Sequence, residues 1–259
     1  MSRILAIINQ KGGVGKTTTA VNLSTALAKK GFTVLAIDLD PQCHMTAHFG
    51  LDSRREGLDQ LLTEGGDIGH FLSQARDGID LLQPGPRLNE LEGLASNVRQ
   101  GYLLRDLIAK ILEQQAYDFI IVDCPPSSGL LGMNALLGCR ELVIPVTGDY
   151  LALVGLSRLM NIVGKLESRT GQGKNKHIVF TRFQKRRRHA REVREKVAEH
   201  FPDSLCRSVV SESVALTESP SFGKTIDEYK RSSRSADEYA ALAQELIERG
   251  HTRYASRIA

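Results

Sequence analysis

A chain of 259 residues, 41% hydrophobic and 25% charged, carries enough apolar material for one large α/β domain without disulfide or metal staples. That balance excludes a disordered polymer, and no apolar run reaches the ~18 to 20 residues that a membrane helix needs. The formal net charge of +4 is modest, but the basic residues are gathered in one segment, which points to a polyanionic partner. The four cysteines, Cys43, Cys124, Cys139 and Cys206, are scattered and show no C-x-x-C spacing. With no leader ahead of a strand that starts at residue 3, the expectation is a reducing cytoplasm.

The first informative stretch is RILAIINQ-KGGVGKTTT-AVNLSTALAKK, from Arg3 to Lys30. Arg3 to Asn9 is a short, nearly continuous apolar run, and from Thr18 onward Ala20, Leu23, Leu27 and Ala28 fall at helical spacing. A buried strand therefore feeds an amphipathic helix through a glycine-rich turn. Gly12, Gly13 and Gly15 permit positive φ and close backbone approach, so successive N–H groups can wrap phosphates at the positive end of the helix. Lys16 is placed to neutralise phosphate charge and the Thr17 hydroxyl to hold Mg²⁺. The pattern G-x-x-x-x-G-K-[ST] would require glycine at position 10, where this chain has Gln10 followed by an extra lysine, Lys11.

At these residues the chain resembles the ParA/MinD family of deviant Walker A ATPases, whose signature is KGG-x-GK-[ST]. The resemblance implies ATP and Mg²⁺ as cofactors, with Lys11, Gly12, Gly13, Val14, Gly15, Lys16, Thr17 and Thr18 on the nucleotide. It also implies a face-to-face ATP dimer, in which Lys11 reaches the phosphates bound by the other copy. Lys11 and Lys16 are then catalytic.

Gly31 stops the first helix, and Thr33 to Asp38 reads as a second buried strand that closes on Asp38 and Asp40. Carboxylates at the carboxyl end of a parallel strand sit at the ligand edge of an open α/β sheet. The stretch DLDPQ also resembles the family's second signature, which implies that Asp40 acts on the attacking water and that Asp38 lies near Mg²⁺. Cys43, His44 and His48 match no zinc spacing and read as a mobile loop with incidental side chains. Residues 51–101 suggest helical pieces at Leu58 to Leu62 and Leu88 to Ala95 around a strand at Ile79 to Gln83, with no chemistry assigned. After a helical stripe from Leu103 to Leu112, the strand FIIVD ends on Asp123 before Cys124, Pro125 and Pro126. An apolar run closing on Asp is the Walker B arrangement, which places a carboxylate near Mg²⁺. A helix at Leu130 to Leu137, a strand at Glu141 to Val146 and a helix from Tyr150 to about Ser168 complete three βα units.

His177 to Phe183 reads as a further strand, followed by a helix from about Arg188 to His200 and a loop around Val210. Between Arg182 and Arg194 stand seven Lys or Arg residues against one acid, Glu192. Lys185, Arg186, Arg187, Arg188 and Arg191 are the candidate DNA contacts; the plain alternative is a solvated helix face. The tail SVALTESPSFGKTIDEY and SADEYAALAQELI resembles the family's closing segment, so the resemblance runs from Ile4 to Ile247.

The expected fold is a doubly wound α/β domain over residues 1–250 with a mostly parallel sheet and a short tail at 251–259. The resemblance implies a partition or positioning ATPase, cytoplasmic and nucleoid-associated. Its partners would be a second copy of itself, non-specific DNA and a ParB-like or cargo-adaptor protein. No stable membrane association is expected, because the tail offers only Tyr254 and Ile258 as sizeable apolar residues. A MinD-like membrane-associated ATPase and a metabolic P-loop enzyme are the competing readings.

Overall fold

The computed structural model describes residues 2–53, 55–92, 100–127 and 129–255, apart from the side chains of 251–255. In chain order the first half runs β1 (Arg3–Ile7), α1 (Lys16–Ala28), β2 (Val34–Asp38), α2 (His44–His48), α3 (Leu58–Thr63), α4 (Ile68–Phe71), β3 (Leu72–Arg76), β4 (Ile79–Leu82), α5 (Leu88–Glu92), α6 (Leu103–Gln114) and β5 (Phe119–Asp123). The second half runs α7 (Leu130–Gly138), β6 (Glu141–Val146), α8 (Tyr150–Thr170), β7 (Asn175–Phe183), α9 (Arg188–His200), β8 (Leu205–Ser211), α10 (Val214–Glu218), α11 (Ile226–Lys230) and α12 (Arg234–Ala255). Residues 93–95 of the helix expected to end at Ala95, the Tyr254 side chain and Ile258 lie outside the described part. Helix α12 continues through residue 250, where the sequence reading began a tail.

The strands form one sheet in the order β3-β4-β2-β5-β1-β6-β7-β8, parallel throughout except for β3 against β4. Strand alternation explains why the central strands read as unbroken apolar runs. Leu5 and Ile7 of β1 enter one core, while Ala6 and the following Ile8 enter the other. Phe119 and Ile121 divide from Ile120 and Val122 in the same way on β5. Helices cover both faces: α1, α2, α11 and α12 pack on the first core, α3 and α5 to α9 on the second. This is the doubly wound arrangement, with the crevice at the carboxyl ends of β1, β2 and β5.

Two strands were not legible in the sequence. Leu72–Arg76 forms the antiparallel edge strand β3, whose LSQAR sequence lacks an apolar run because most of it is only partly buried. Val210, read as a loop residue, lies inside β8, where only Cys206 and Val210 are fully buried and polar residues interrupt the pattern. An edge strand is open to solvent along one side, so it needs no continuous apolar sequence.

The chain ends are joined by a buried ionic cluster. Arg3 donates from Nε and Nη2 to Glu141 at 2.8 and 2.7 Å and from Nη1 to the Leu246 carbonyl at 2.7 Å. His177 Nε2 lies 3.0 Å from the same carboxylate, and all three ionisable residues are buried. Burial pushes His177 below its ordinary value, so a neutral ring donating from Nε2 satisfies Glu141. Burial also opposes ionisation of Glu141, yet hydrogen bonds from Arg3 and His177 and the Arg3 charge together hold it down at about 2. A depressed carboxyl contributes stability above its unfolded value and loses it as pH falls through the folded one. Glu141→Ala should therefore cost about 3 kcal/mol at neutral pH, by leaving Arg3 buried without its partner. In urea melts, the gap from wild type should narrow as pH falls from the ordinary 4.5 toward 2.

Candidate functional site

The turn between β1 and α1 opens onto a cavity of about 550 Å³ at the carboxyl edge of the sheet. Gly13 and Gly15 are left-handed, at φ 73° and 82°, where a side chain would be strained. Gly12 is not, so positive φ explains only two of the three glycines; a Cβ at Gly12 would meet nothing within 4 Å in this chain. Val14 is buried, and its carbonyl accepts from Thr181 Oγ1 at 2.7 Å, which ties the turn to β7. Helix α1 starts at Lys16 rather than Thr18, and no side chain caps it. Its first amide groups are therefore left for an anion, and Gly15, Lys16, Thr17 and Thr18 line the cavity.

Lys16 is buried, with only the Lys11 carbonyl at 3.5 Å as a weak partner. Burial lowers its affinity for a proton, opposed by the charges of Asp123, Cys124 and Asp40. Parallel pairing of β2 with β5 sets Asp38 directly beside Asp123. Both are fully buried. Asp38 is committed to α2: Oδ2 accepts from Thr46 N and Oγ1 at 2.9 and 2.7 Å, and Oδ1 accepts from Asp40 N at 3.3 Å. Burial raises Asp38 to about 7 in spite of these bonds. Among the described residues Asp123 has no hydrogen-bond partner on either oxygen. Burial, then the Asp38 charge, push it well above the carboxylate range; Thr17 and Lys16 oppose, although the Thr17 hydroxyl falls short of hydrogen-bond geometry. Two adjacent buried carboxylates, one without a donor, fit a hard cation beside Thr17. Asp40 Oδ1 accepts from Gln42 N at 3.0 Å, and Asp40 itself lines the cavity.

Cys43, His44 and His48 are not a mobile loop: Cys43 leads into α2, and His48 is buried. The segment is ordered because Asp38 anchors Thr46. Among the described residues no three His, Cys, Asp or Glu side chains are grouped to hold a metal. A Mg²⁺ site needs no such cage, since phosphates and water supply most of its ligands.

Lys11 is held within its own chain. Its Nζ bonds both oxygens of Asp149, at 2.8 and 2.7 Å, and Asp149 also caps α8 by accepting from Ala152 N at 3.0 Å. Asn9 fixes the loop behind it, accepting from Lys11 N at 3.0 Å and donating to the Pro145 carbonyl at 2.7 Å. Sequence reasoning missed Asp149, Asn9, Thr46 and Thr181. Asp149 alone left a signal, an acidic residue at a helix start; what it pairs with depends on strand order. Beyond the phosphate end the cavity wall passes to Arg182, Val210, Ser211, Leu216 and Tyr239. The basic segment lies on the same sheet edge: Lys185 to Arg187 precede α9, all exposed, while Arg188 is paired with Glu192 at 2.7 Å.

The AAA domain family matches residues 2–179. The chain is 35% identical over 258 residues to the chromosome partitioning protein ParA of Caulobacter vibrioides, covering 98% of this chain and 97% of that one. It is 37% identical to the sporulation initiation inhibitor protein Soj of Bacillus subtilis, over 96% of this chain and all of that one. The chain belongs to the ParA/Soj family of P-loop partition ATPases. Among solved structures, this ParA family member is similar to cobyrinic acid a,c-diamide synthase from Mycobacterium smegmatis with bound ADP and magnesium, at TM-score 0.82 and 27% identity over 95% and 94% of the two chains. Its fold also matches the Cyanothece McdA(D38A)-ATP complex at TM-score 0.83 and 21% identity, over 95% and 96%. No helix among its described residues is long and apolar enough to cross a membrane. For this ParA-family site, Lys16→Ala should weaken ATP binding by on the order of 100-fold in a direct titration, because it removes the buried cation of the phosphate loop. Retained affinity would mean that the backbone amides bind the phosphates without it.

Proposed function

We propose that this partition ATPase binds MgATP, dimerises face to face across the nucleotide, grips DNA without reading sequence, and releases it after hydrolysis. Residues 1–250 act as one ATPase domain in the nucleoid-associated cytoplasm, and a ParB-like or cargo-adaptor protein stimulates turnover. The observation that carries the reading is the placement of Asp40 and Asp123 about buried Lys16 at an uncapped helix start, with Asp38 beside Asp123.

The amides of Gly13, Gly15, Lys16, Thr17 and Thr18 and the Lys16 ammonium take the phosphates, which restore to Lys16 the partner that burial denies it. Thr17 and Asp123, with Asp38 behind them, are the residues that would hold Mg²⁺, which when bound neutralises phosphate charge. Asp40 keeps one oxygen on its own loop through Gln42 N; the other can orient the water that attacks the terminal phosphorus. Lys11 must leave Asp149 before it can serve another copy's phosphates. That pair is partly exposed, with side chains 34% and 45% accessible, so breaking it costs only about 1 kcal/mol or less. A terminal phosphate of higher charge density is the stronger partner.

The reading is favoured over a metabolic P-loop enzyme by identity of 35–37% to partition proteins along nearly the whole chain, against 27% to the synthase. Asp40→Ala should slow hydrolysis by on the order of 100-fold or more while an ATP-dependent dimer persists in light scattering. Lys11→Ala should lose both hydrolysis and the dimer; an unchanged dimer would remove Lys11 from the subunit contact. For the basic segment, Arg187, Arg188 and Arg191 replaced by Glu should abolish ATP-dependent retention of random-sequence DNA in a mobility shift. Wild-type binding should weaken steeply with salt. Equal DNA affinity with ADP and ATP would overturn the nucleotide-gated reading.

A further inference from the structure

Strands β7 and β8 serve two cavities, one on each side of the sheet. On the nucleotide side lie Thr181, Arg182, Val210 and Ser211. On the α9 side the neighbouring residues Phe183 and Val209 floor a second cavity of about 390 Å³. The strand changes face at Arg182, which takes φ +48° and sends Nη1 toward the Gly13 carbonyl at 3.4 Å.

Four cations line this second cavity: Lys185, Arg191, Arg194 and Arg207, with Glu195 as the acid among its lining residues. Of these only Lys185 belongs to the consecutive basic run. Arg191 and Arg194 are three apart on α9 and share a face, Lys185 comes from the turn before it, and Arg207 projects from β8. Arg207 is braced from behind, with Nη2 3.1 Å from Glu248 and Nε 3.8 Å from Glu245. Arg194 is the informative member: its Nε is shielded from solvent and has no hydrogen-bond partner among the described residues. A shielded guanidinium donor without an acceptor is rare in folded proteins, and several cations around one void concentrate positive potential. A phosphate group answers both: its oxygens accept in the fork geometry that arginine offers, and its charge relieves the repulsion.

We propose that the cleft between α9 and β8 is a preformed site for one phosphate group, held by Arg194 with Lys185, Arg191 and Arg207, and that a nucleic-acid backbone supplies it. The choice of backbone rests on the DNA reading above; the phosphate site does not. It moves the anchor from Arg187 and Arg188 at the start of α9 to its flank and adds Arg194 and Arg207 to the contact set. Because Val209 and Val210 are successive residues on opposite faces of one strand, the cleft and the nucleotide wall share backbone.

The test compares wild type with Arg194→Gln, with thermal melts by circular dichroism as the control for folding. If that variant melts early, Lys185→Gln, at an exposed position, replaces it. Binding of a short random-sequence duplex with ATP and Mg²⁺ is followed by fluorescence anisotropy across a range of salt. Inorganic phosphate is titrated calorimetrically into protein whose nucleotide site is filled with ADP. The proposal expects DNA affinity to fall about tenfold in the variant and the log–log salt slope to shrink by about 0.9, the loss of one phosphate contact. If DNA binding is unchanged but phosphate heat in the wild type disappears in the variant, the site stands and its occupant is a free phosphorylated ligand. Wild type that binds no DNA refutes the DNA reading, and the phosphate titration alone then judges the cleft. Equal DNA affinity and equal slope, together with no variant-sensitive phosphate heat, overturn the site while leaving the DNA reading intact.

Discussion

Two carboxylates side by side in a dry interior are an arrangement that folding does not favour. Asp38 and Asp123 occupy opposed positions at the ends of β2 and β5, fully buried, with Asp40 just beyond. Burial pushes both above the usual carboxylate range, the Asp38 charge pushes Asp123 further, and burial costs Lys16 affinity for its proton in the same space. The sheet enforces the arrangement, because parallel register leaves these side chains no other place at the carboxyl edge. An anion on the loop and a cation beside Thr17 would together satisfy Lys16 and Asp123. The rest of the architecture can be read as what is needed to keep these groups together without their ligands: Thr46 on Asp38, Thr181 on the Val14 carbonyl, Asn9 behind Lys11.

The same economy applies to the signature lysine. A flexible ammonium meant for another molecule would sample many rotamers in the free chain. Asp149 holds it in one place through a bidentate ion pair that is partly exposed and therefore weak. Since Asp149 also caps α8, the position of Lys11 and the start of that helix are set by one carboxylate. When the lysine leaves, Asp149 can stay on the amide end of α8, where Tyr150 and Leu151 are exposed.

Most of the fold was legible because buried parallel strands announce themselves as short apolar runs. FIIVD, ELVIPV and VLAID appear as strands at nearly the expected bounds. The elements that sequence missed, β3 and β8, sit at the two edges, where one neighbour is absent and polar residues are tolerated. In the site, the phosphate loop and the three aspartates were legible because each stands at the end of a strand or the start of a helix. Asp149, Thr46, Thr181 and Asn9 were not, since their roles exist only through partners brought near by strand order. The arginine run shows its charge in sequence but not its partners: Arg188 is paired with Glu192, an exposed contact that only the helix places.

Strand order also governs how this molecule is made. The strand leading into the phosphate loop precedes both of its sheet neighbours, β5 and β6, in chain order, and Arg3 is fixed by Glu141 and by the Leu246 carbonyl, later still. On a ribosome, this apolar strand therefore has both edges unpaired until β5 emerges and one edge unpaired until β6 follows, and its final clasp waits for α12. Such high sequence separation makes folding slow and leaves the nascent amino terminus exposed to wrong pairing. A truncated translation product would thus carry every phosphate-binding residue in its sequence and still be unable to assemble the site.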